Sequence, residues 1–556
     1  VTLRLLIIGG YGTFGARLAR LLDDEPGVEI IIGGRNLEKA KACAADLKGE
    51  GRTAIHFDRD GDVDAQIAAI KPDVVVDASG PWQAYRDPYK TVRAAISNGC
   101  HYLDLADGSD FVLGIGDYDD AARAKNVFVL SGVSSCPVLT ASAVRALSGD
   151  LDEVHTIIGA IAPSPHAGLG ANVIGAITHY AGKPVKLTRD GKTATAMGLI
   201  ETRRGTVAPP GALPLPNVLY SLVDVPDLRL LPALWPNLKT IWFGVGPRPE
   251  ILHRALSGLA HLVRIGVLRS LTPFAGLFHR AAHIVTWGEH RGGMFVEITG
   301  TKEGGTVRRS WHLLADGDRG PFIPSMAIEA VIRKMIAGET PACGARSAAL
   351  ELDLSDYAAS FARRGIITGT REEPDPAWPL YRRVLGNAWE RLPAPIRDLH
   401  SPDGHMKASG RAKVERGSGF LGKLIGRLIG FPEAGDDIPV TVDFKVEQGR
   451  EVWTRTFGTR SFSSVQTEGQ GRHAYLVRER FGAVEVSLAS VVDGDVLRLI
   501  VRSWRFLGIP MPLFLAPGGA AFEHAEGGRF NFDVTIAHPL MGTIIRYRGW
   551  LVPEAA

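Results

Sequence analysis

The stretch Leu3-Arg4-Leu5-Leu6-Ile7-Ile8-Gly9-Gly10-Tyr11-Gly12-Thr13-Phe14-Gly15 decides the fold. An apolar run, Leu3–Ile8, leads directly into glycines spaced Gly10-x-Gly12-x-x-Gly15. The next residues, Phe14–Leu22, put Leu18, Leu21 and Leu22 at helical spacing. A lone Gly-x-Gly-x-x-Gly is common. One that ends a strand and opens a helix at the head of a βαβ unit is the context of a dinucleotide-phosphate loop. In that reading Gly10 permits the tight turn, Gly12 lets the backbone approach a pyrophosphate, and Gly15 lets the helix pack close to the strand. Thr13 and Phe14 complete the loop, and free N–H groups at the helix start face the anion.

The same alternation continues outward from the loop. Val28–Ile32, Thr53–Phe57 and Val74–Val76 read as further strands; Leu37–Leu47 and Val63–Ile70 read as helices between them. Pro88–Gly99, Tyr102–Leu105 and Val127–Leu130 extend the series. Strands this apolar, alternating with helices, form a parallel sheet covered on both faces. Residues 1–150 are therefore expected to be a doubly wound, Rossmann-type α/β domain.

The tip of the second strand bears on the cofactor. A site for NAD carries an acid about 20 residues beyond the loop, on the ribose hydroxyl. Here Ile30-Ile31-Ile32-Gly33-Gly34 ends at Arg35-Asn36, with no acid. An arginine accepts a 2′-phosphate through paired, charge-assisted bonds, which a carboxylate would repel. The expected cofactor is NADP, held by Gly10, Gly12, Thr13, Phe14, Gly15, Arg35 and Asn36. Asp58, past the third strand, is a candidate partner for the adenine amino group.

Composition narrows the class. The 556 residues are 45% hydrophobic and 22% charged, with Lys+Arg 63 against Asp+Glu 60. That balance excludes a disordered chain and argues against a dedicated nucleic-acid binder. Cys43, Cys100, Cys136 and Cys343 are widely spaced, so neither a zinc ribbon nor a disulfide frame is expected, and a reducing, cytoplasmic setting fits. Leu3–Ile8 is too short for a signal peptide, and Gly205–Val223 carries four prolines, which an unbroken spanning helix does not tolerate. His279 and His283 stand at zinc-ligand spacing on a helix but lack a third ligand nearby, so no metal site is expected.

Beyond residue 150 the pattern changes. Residues 151–370 read as an α+β substrate domain, with strands at Val154–Ile161 and His283–Gly300 and helices at Ile251–Arg269 and Pro324–Ala337. An apolar helical insertion over 205–282 suits a lid, an apolar substrate or contact with a membrane surface. Residues 371–380 form a proline-rich linker. Residues 380–556 are β-dominated, and a mainly antiparallel sheet with few helices is expected. The basic amphipathic stretch Phe420–Phe431, with Lys423 and Arg427 on one face, packs on that sheet, lies at a membrane interface, or helps the sheet enclose an apolar ligand.

Three stretches resemble a known family. Gly9–Gly15, Val74–Pro81 (VVVDASGP) and Asn98–Gly108 (NGCHYLDLADG) are similar to the saccharopine dehydrogenase-like NADP-binding domain. Residues 310–323 and 341–357 resemble the second domain of the same group, and 380–552 resemble a domain of unknown function often attached to it. The resemblance implies an oxidoreductase with a Gly80-Pro81 turn beside the nicotinamide, so Ser79, Gly80 and Pro81 join the expected cofactor contacts. It does not carry over the amino-acid substrate, because a long insertion and an extra β domain depart from the lysine-pathway arrangement.

Hydride transfer also needs a proton donor or acceptor near the reacting carbon. Tyr85, just past the Gly-Pro turn, and Asp104, after the apolar Leu103, are the expected catalytic residues, with His101, Tyr102 and Ser134 as further candidates. Tyr102 and Asp104 have a structural alternative, bonding the backbone of a strand end. The expected partner is a small carbonyl or imine substrate with an apolar body, with peripheral membrane contact a second possibility. A different class also stands: a dinucleotide-binding sensor or lipid carrier that keeps the Rossmann domain without turnover.

Overall fold

A computed structural model describes residues 2–82, 85–168, 170–420, 426 and 430–554. The chain divides into two compact units, one comprising Val1–Arg203 and Leu219–Thr368, the other Arg204–Val218 and Gly369–Ala556.

The first unit begins with β1 (Leu3–Ile8), α1 (Gly15–Leu21), β2 (Val28–Gly34), α2 (Leu37–Ala45), β3 (Arg52–His56), α3 (Val63–Ile70), β4 (Val74–Asp77), α4 (Lys90–Ser97) and β5 (His101–Asp104). It continues with α5 (Ser109–Gly114), α6 (Asp119–Ala124), β6 (Phe128–Ser131) and α7 (Thr140–Ser148). These strands form one parallel sheet in the order β3-β2-β1-β4-β5-β6, completed by β15 (Gly344–Ser347) beside β6. Leu5 faces Ile30 and Val74 in register, and Ile7 faces Ile32 and Val76. These residues are buried because helices cover both faces, hence the unbroken apolar runs. The strand order reverses between β1 and β4, and the crevice at such a reversal is where open α/β sheets take their ligands.

The chain goes on to β7 (Glu153–Ala162). After it come α8 (Ala171–Tyr180), the hairpin of β8 (Pro184–Arg189) and β9 (Lys192–Met197), β10 (Thr202–Val207), β11 (Leu215–Leu222), α9 (Asp227–Leu234) and β12 (Thr240–Val245). Then follow α10 (Glu250–Arg264), α11 (Ala275–Ile284), β13 (Arg291–Lys302), β14 (Gly305–Asp316), α12 (Ile323–Ile336), α13 (Leu354–Arg363) and β16 (Ile366–Glu372). β12 runs parallel to β7, and β13 and β14 follow antiparallel on its other side, so this second sheet is mixed. The expected strand from His283 starts later: α11 continues through His283, whose ring bonds the His279 carbonyl one turn back at 2.8 Å, and the strand opens at Arg291. The insertion holds the expected helix as α10, ending at Arg264 rather than Arg269, and also the helices α9 and α11 and the strands β11 and β12.

In the second unit α14 (Leu380–Leu385) and α15 (Ala394–Leu399) precede eleven strands: β17 (His405–Arg416), β18 (Gly435–Glu447), β19 (Arg450–Phe457), β20 (Arg460–Glu468), β21 (Val477–Phe481), β22 (Val484–Asp493), β23 (Val496–Phe506), β24 (Ile509–Met511), β25 (Ala521–Glu526), β26 (Arg529–His538) and β27 (Gly542–Pro553). The order β22-β21-β20-β19-β18-β17-β27-β26-β25-β23 closes on itself through β22–β23, giving a ten-stranded antiparallel barrel with β24 folded back on β23. In β18, Val440, Val442 and Phe444 are buried while Thr441, Asp443 and Lys445 are not, so the barrel is apolar inside. That is the reverse of a transmembrane barrel.

The segment 204–218 groups with this unit rather than with the insertion around it. Arg371, fully buried, donates to the Ala208 carbonyl at 2.6 Å and the Val384 carbonyl at 2.9 Å, and Val492 N–H donates to the Gly211 carbonyl at 2.8 Å. Of the amphipathic stretch, Phe420, Gly426, Gly430 and Phe431 are described; Lys423 and Arg427 lie outside the described residues. Among the described residues no helix is long and apolar enough to cross a membrane.

Candidate functional site

The glycine loop joins β1 to α1 at the strand-order reversal. Gly9 and Gly10 N–H groups donate to the Gly33 carbonyl at 2.9 and 3.1 Å, tying the loop to the tip of β2, and Gly12 N–H returns to the Gly9 carbonyl at 2.8 Å. The left-handed residue of the turn is Gly9 (φ +73°), so the conformational freedom sits one position before the glycine assigned to it. A Cβ on Gly10 would lie 2.8 Å from the Ile7 carbonyl oxygen, and one on Gly15 2.5 Å from the Gly9 carbonyl oxygen. Both positions are closed by the protein itself. A Cβ on Gly12 would meet only the Gly9 carbonyl oxygen, at 3.0 Å, so its other side is open space. A cradle whose glycines are enforced by packing on two sides and left open on the third fits a pyrophosphate lying against Gly12. Ser325 Oγ donates to the Phe14 carbonyl at 3.0 Å, and Thr13 sits against Gly170 at the head of α8.

On the adenosine side, Arg35 is exposed just past β2. Asn36 caps α2, accepting from Lys39 N–H at 3.0 Å, and its own N–H donates to the Tyr11 hydroxyl at 3.2 Å. The Tyr11 ring lies so close over Gly34 that a Cβ there would be 2.3 Å from it. Tyr11 thus closes this end of the crevice. Nothing in the spacing singled it out, although the paired glycines Gly33-Gly34 were a signal that something bulky approaches β2. Asp58 accepts from Asp60 N–H at 3.1 Å within its own turn.

On the other side of the crevice, beyond β4, a polar chain runs through four residues. Asp77, fully buried, accepts from Ser79 Oγ at 2.5 Å and from Ser79 N–H at 3.0 Å. Ser79 Oγ stands 3.0 Å from the Tyr85 hydroxyl. Arg59 reaches in from beyond β3, donating to Asp77 at 3.2 Å and to the Pro88 carbonyl at 3.0 Å, and lies flat over the Tyr85 ring, 3.4 Å from its centre. Burial and the neighbouring Asp77 charge push the Tyr85 phenol above its ordinary pKa, partly opposed by the Ser79 bond and by Arg59. Tyr85 is therefore protonated at neutral pH and oriented. Gly80 packs on the Trp82 ring, leaving room for no side chain there. Arg59 and Asp77 were not anticipated; an acid at the end of a buried strand and an arginine in a loop are each too common to stand out.

Asp104 is also buried, at the end of β5. One oxygen accepts from Gly132 N–H at 2.7 Å, Ala106 N–H at 2.9 Å and Ser131 Oγ at 3.1 Å; the other has no described partner. Burial, only partly offset by those bonds, pushes its pKa up to about 7. It ties β5 to the end of β6, whereas Tyr85 meets the Ser79 turn. His101 lies at the amino end of β5, away from the crevice, accepting from Phe128 N–H at 3.1 Å, and the Tyr102 ring is fully buried.

With this geometry in view, comparison with known families is informative. Residues 5–130 match the family model described as the saccharopine dehydrogenase NADP binding domain. The match takes in the glycine loop and the strands from β1 to β6. Residues 392–551 match a second model, described as Domain of unknown function (DUF4166), which spans most of the barrel. Among curated proteins, none matches the sequence. Solved structures with a similar course include apo saccharopine dehydrogenase (L-Glu forming) from Saccharomyces cerevisiae, 13% identical over 66% of this chain and 99% of that one, TM-score 0.48. The WlbA dehydrogenase from Thermus thermophilus, solved with NAD and alpha-ketoglutarate, is 12% identical over 61% of this chain and 90% of that one, TM-score 0.30. A probable dehydrogenase from Thermotoga maritima is 11% identical over 62% and 91%, TM-score 0.32. The N-terminal match supports an oxidoreductase with a nicotinamide dinucleotide cofactor.

Proposed function

We propose that the protein is an NADP(H)-dependent oxidoreductase acting on a carbonyl or imine carbon. The observation that carries this reading is the crevice itself: a glycine loop open at Gly12, an exposed Arg35 where an NAD site would have an acid, and the Tyr85 hydroxyl held by Ser79, itself bonded to Asp77, beyond β4. Arg35, with Asn36 beside it, would take the 2′-phosphate and discriminate against NAD. Thr13, Phe14 and Gly12 would border the pyrophosphate, and Asp58 the adenine. Ser79, Gly80 and Pro81 would border the nicotinamide, which supplies the hydride when bound.

The chain's own part of the chemistry is to position and to move a proton. Asp77 accepts from Ser79, and Ser79 in turn fixes the Tyr85 hydroxyl; Arg59 restrains the ring from its face. Held protonated, Tyr85 is suited to donate to a developing alkoxide or amine. Asp104 acts by orienting the β5 and β6 strand ends rather than by touching the reacting atoms. Exposed Ile265, Leu277 and Ile284 around α10 and α11 support an apolar substrate or a membrane surface near this unit.

The test is NADPH oxidation by the purified chain over a panel of ketones, enals and imines. Turnover that falls about a hundredfold or more in Tyr85→Phe, with NADPH affinity unchanged, is the expected result. Binding without oxidation across the whole panel would favour the sensor reading.

A further inference from the structure

The barrel of the second unit encloses a cavity of about 780 Å³. Protein interiors are packed with few voids larger than a water molecule, so a space of this size is a built feature. It falls in the range that holds a drug-sized ligand. Its wall is apolar along most of its length, through residues such as Val442, Phe444, Leu499, Val501, Phe532 and Val534.

The two ends differ. At one end Tyr381 and Leu399, from α14 and α15, form part of the lining, and α15 packs on β25 and β26. At the other end, where Val484 pairs with Phe506 and Met541 turns from β26 into β27, the lining is continuous with a rim of exposed apolar side chains. Leu507, Ile509, Phe514 and Leu540 are there between 64% and 75% exposed. Trp504 Nε1 donates to the Pro512 carbonyl at 2.8 Å and so ties the rim segment to the wall.

The polar groups of the lining restrict the charge of the occupant. Arg455 is committed to Ser464 Oγ at 2.8 Å and Glu479 at 3.3 Å, and Glu523 to His400 at 2.6 Å. Gln466 donates to Glu479 at 3.0 Å, but its amide oxygen has no described partner, nor has the Tyr381 hydroxyl; both residues are at most 1% exposed and both line the cavity. Both atoms are shut off from the cavity space by the packing around them, so they define no polar head of an occupant. A carboxylate would face Glu479 and Glu523 with no uncommitted cation among the described lining residues.

We propose that this barrel is a binding site for one elongated, uncharged apolar molecule, entering through the apolar rim. It is independent of the dinucleotide reading, and its test omits NADPH.

The experiment titrates the full chain with all-trans-retinol and, separately, with retinoic acid, following quenching of the cavity tryptophans Trp453 and Trp504. These two probes share a body and differ in the head. The expected result is saturable one-to-one binding of retinol, with retinoic acid weaker by about tenfold or more. Val501→Trp, which fills the cavity, should weaken retinol by at least about tenfold. No saturable retinol binding, retinoic acid binding as tightly as retinol, or unchanged retinol affinity in a folded Val501→Trp protein would each overturn the proposal. The comparison of the two probes on the unmodified chain needs no variant to fold.

Discussion

Gly12 and Gly15 differ in what a methyl group would meet, and that difference separates binding from folding. At Gly15 the added carbon runs into the Gly9 carbonyl oxygen at 2.5 Å and Gly10 Cα at 2.8 Å, so backbone must move. Gly15→Ala is expected to cost about 1–3 kcal/mol of stability in thermal unfolding. At Gly12 only one atom is near, at 3.0 Å. Gly12→Ala should melt close to the unmodified protein yet lose about tenfold or more in NADPH affinity by calorimetry, because the methyl occupies the space of the pyrophosphate. Equal melting losses in both variants would contradict the open-sided loop. Arg35→Asp tests the neighbouring claim. It should weaken NADPH by about 2–3 kcal/mol, the value of a charge-assisted contact, while NADH changes little. Equal losses for both dinucleotides would remove Arg35 from the phosphate.

At the scale of elements, the strand ends of the first unit carry buried acids whose titration is measurable. Asp104, at the end of β5, and Asp227, at the start of α9, are both fully buried, and burial raises each from 3.8 to about 7. A carboxyl raised in this way keeps its proton in the folded chain after the unfolded chain has lost it. Its contribution to stability is therefore complete below the ordinary carboxylate range and is lost as pH rises toward 7. Each group contributes up to about 4 kcal/mol to that fall. Asp104→Asn retains the acceptor for Gly132 and Ala106 and cannot titrate, so its melting temperature should depend less steeply on pH over this interval. An unchanged slope would place the titration elsewhere.

The elements also show what could be read in advance. Buried parallel strands such as Val74–Val76 announce themselves as apolar runs, and α3 was legible to its ends because Asp62 caps it, accepting from Ala65 N–H. In contrast β15, Gly-Ala-Arg-Ser, pairs with β6 without any apolar run. β17 hid for a related reason: it turns the small Ala408 and Ala412 inward and Lys or Arg outward, so its alternation carries little hydrophobic contrast. β20 is rich in serine, with Ser464 and Gln466 facing the barrel's polar patch. Closure of the sheet depends on the pairing of β17 with β27, the first and last strands of the barrel, a long-range fact that no local pattern contains. In the site, the glycine loop was legible because its constraint is local. Tyr11, Arg59 and Asp77 were not, because their roles arise where separate strand ends converge.

Across the whole molecule, the division into units does not follow the linear order of the chain. The second unit includes 204–218, pinned by Arg371, whose buried guanidinium is pushed down to about 10 by burial and lies 4.5 Å from the centre of the Tyr475 ring. Arg371→Met keeps the bulk but removes the bonds to the Ala208 and Val384 carbonyls. It should cost the second unit about 2–4 kcal/mol, read as a lower midpoint in denaturant. NADPH affinity should be unaffected by this change, because the glycine loop, Arg35 and Tyr85 all belong to the first unit. A loss of NADPH binding in Arg371→Met would contradict the assignment of the dinucleotide site to that unit alone.

The central claim is that the crevice at the β1–β4 reversal takes a dinucleotide with a third phosphate. Calorimetric titration of the full chain with NADPH and, in parallel, with NADH tests it most directly. One-to-one binding of NADPH at least about tenfold tighter than NADH is expected, the ratio of a charge-assisted phosphate contact. Absence of binding by either dinucleotide, or tighter binding of NADH, would contradict it.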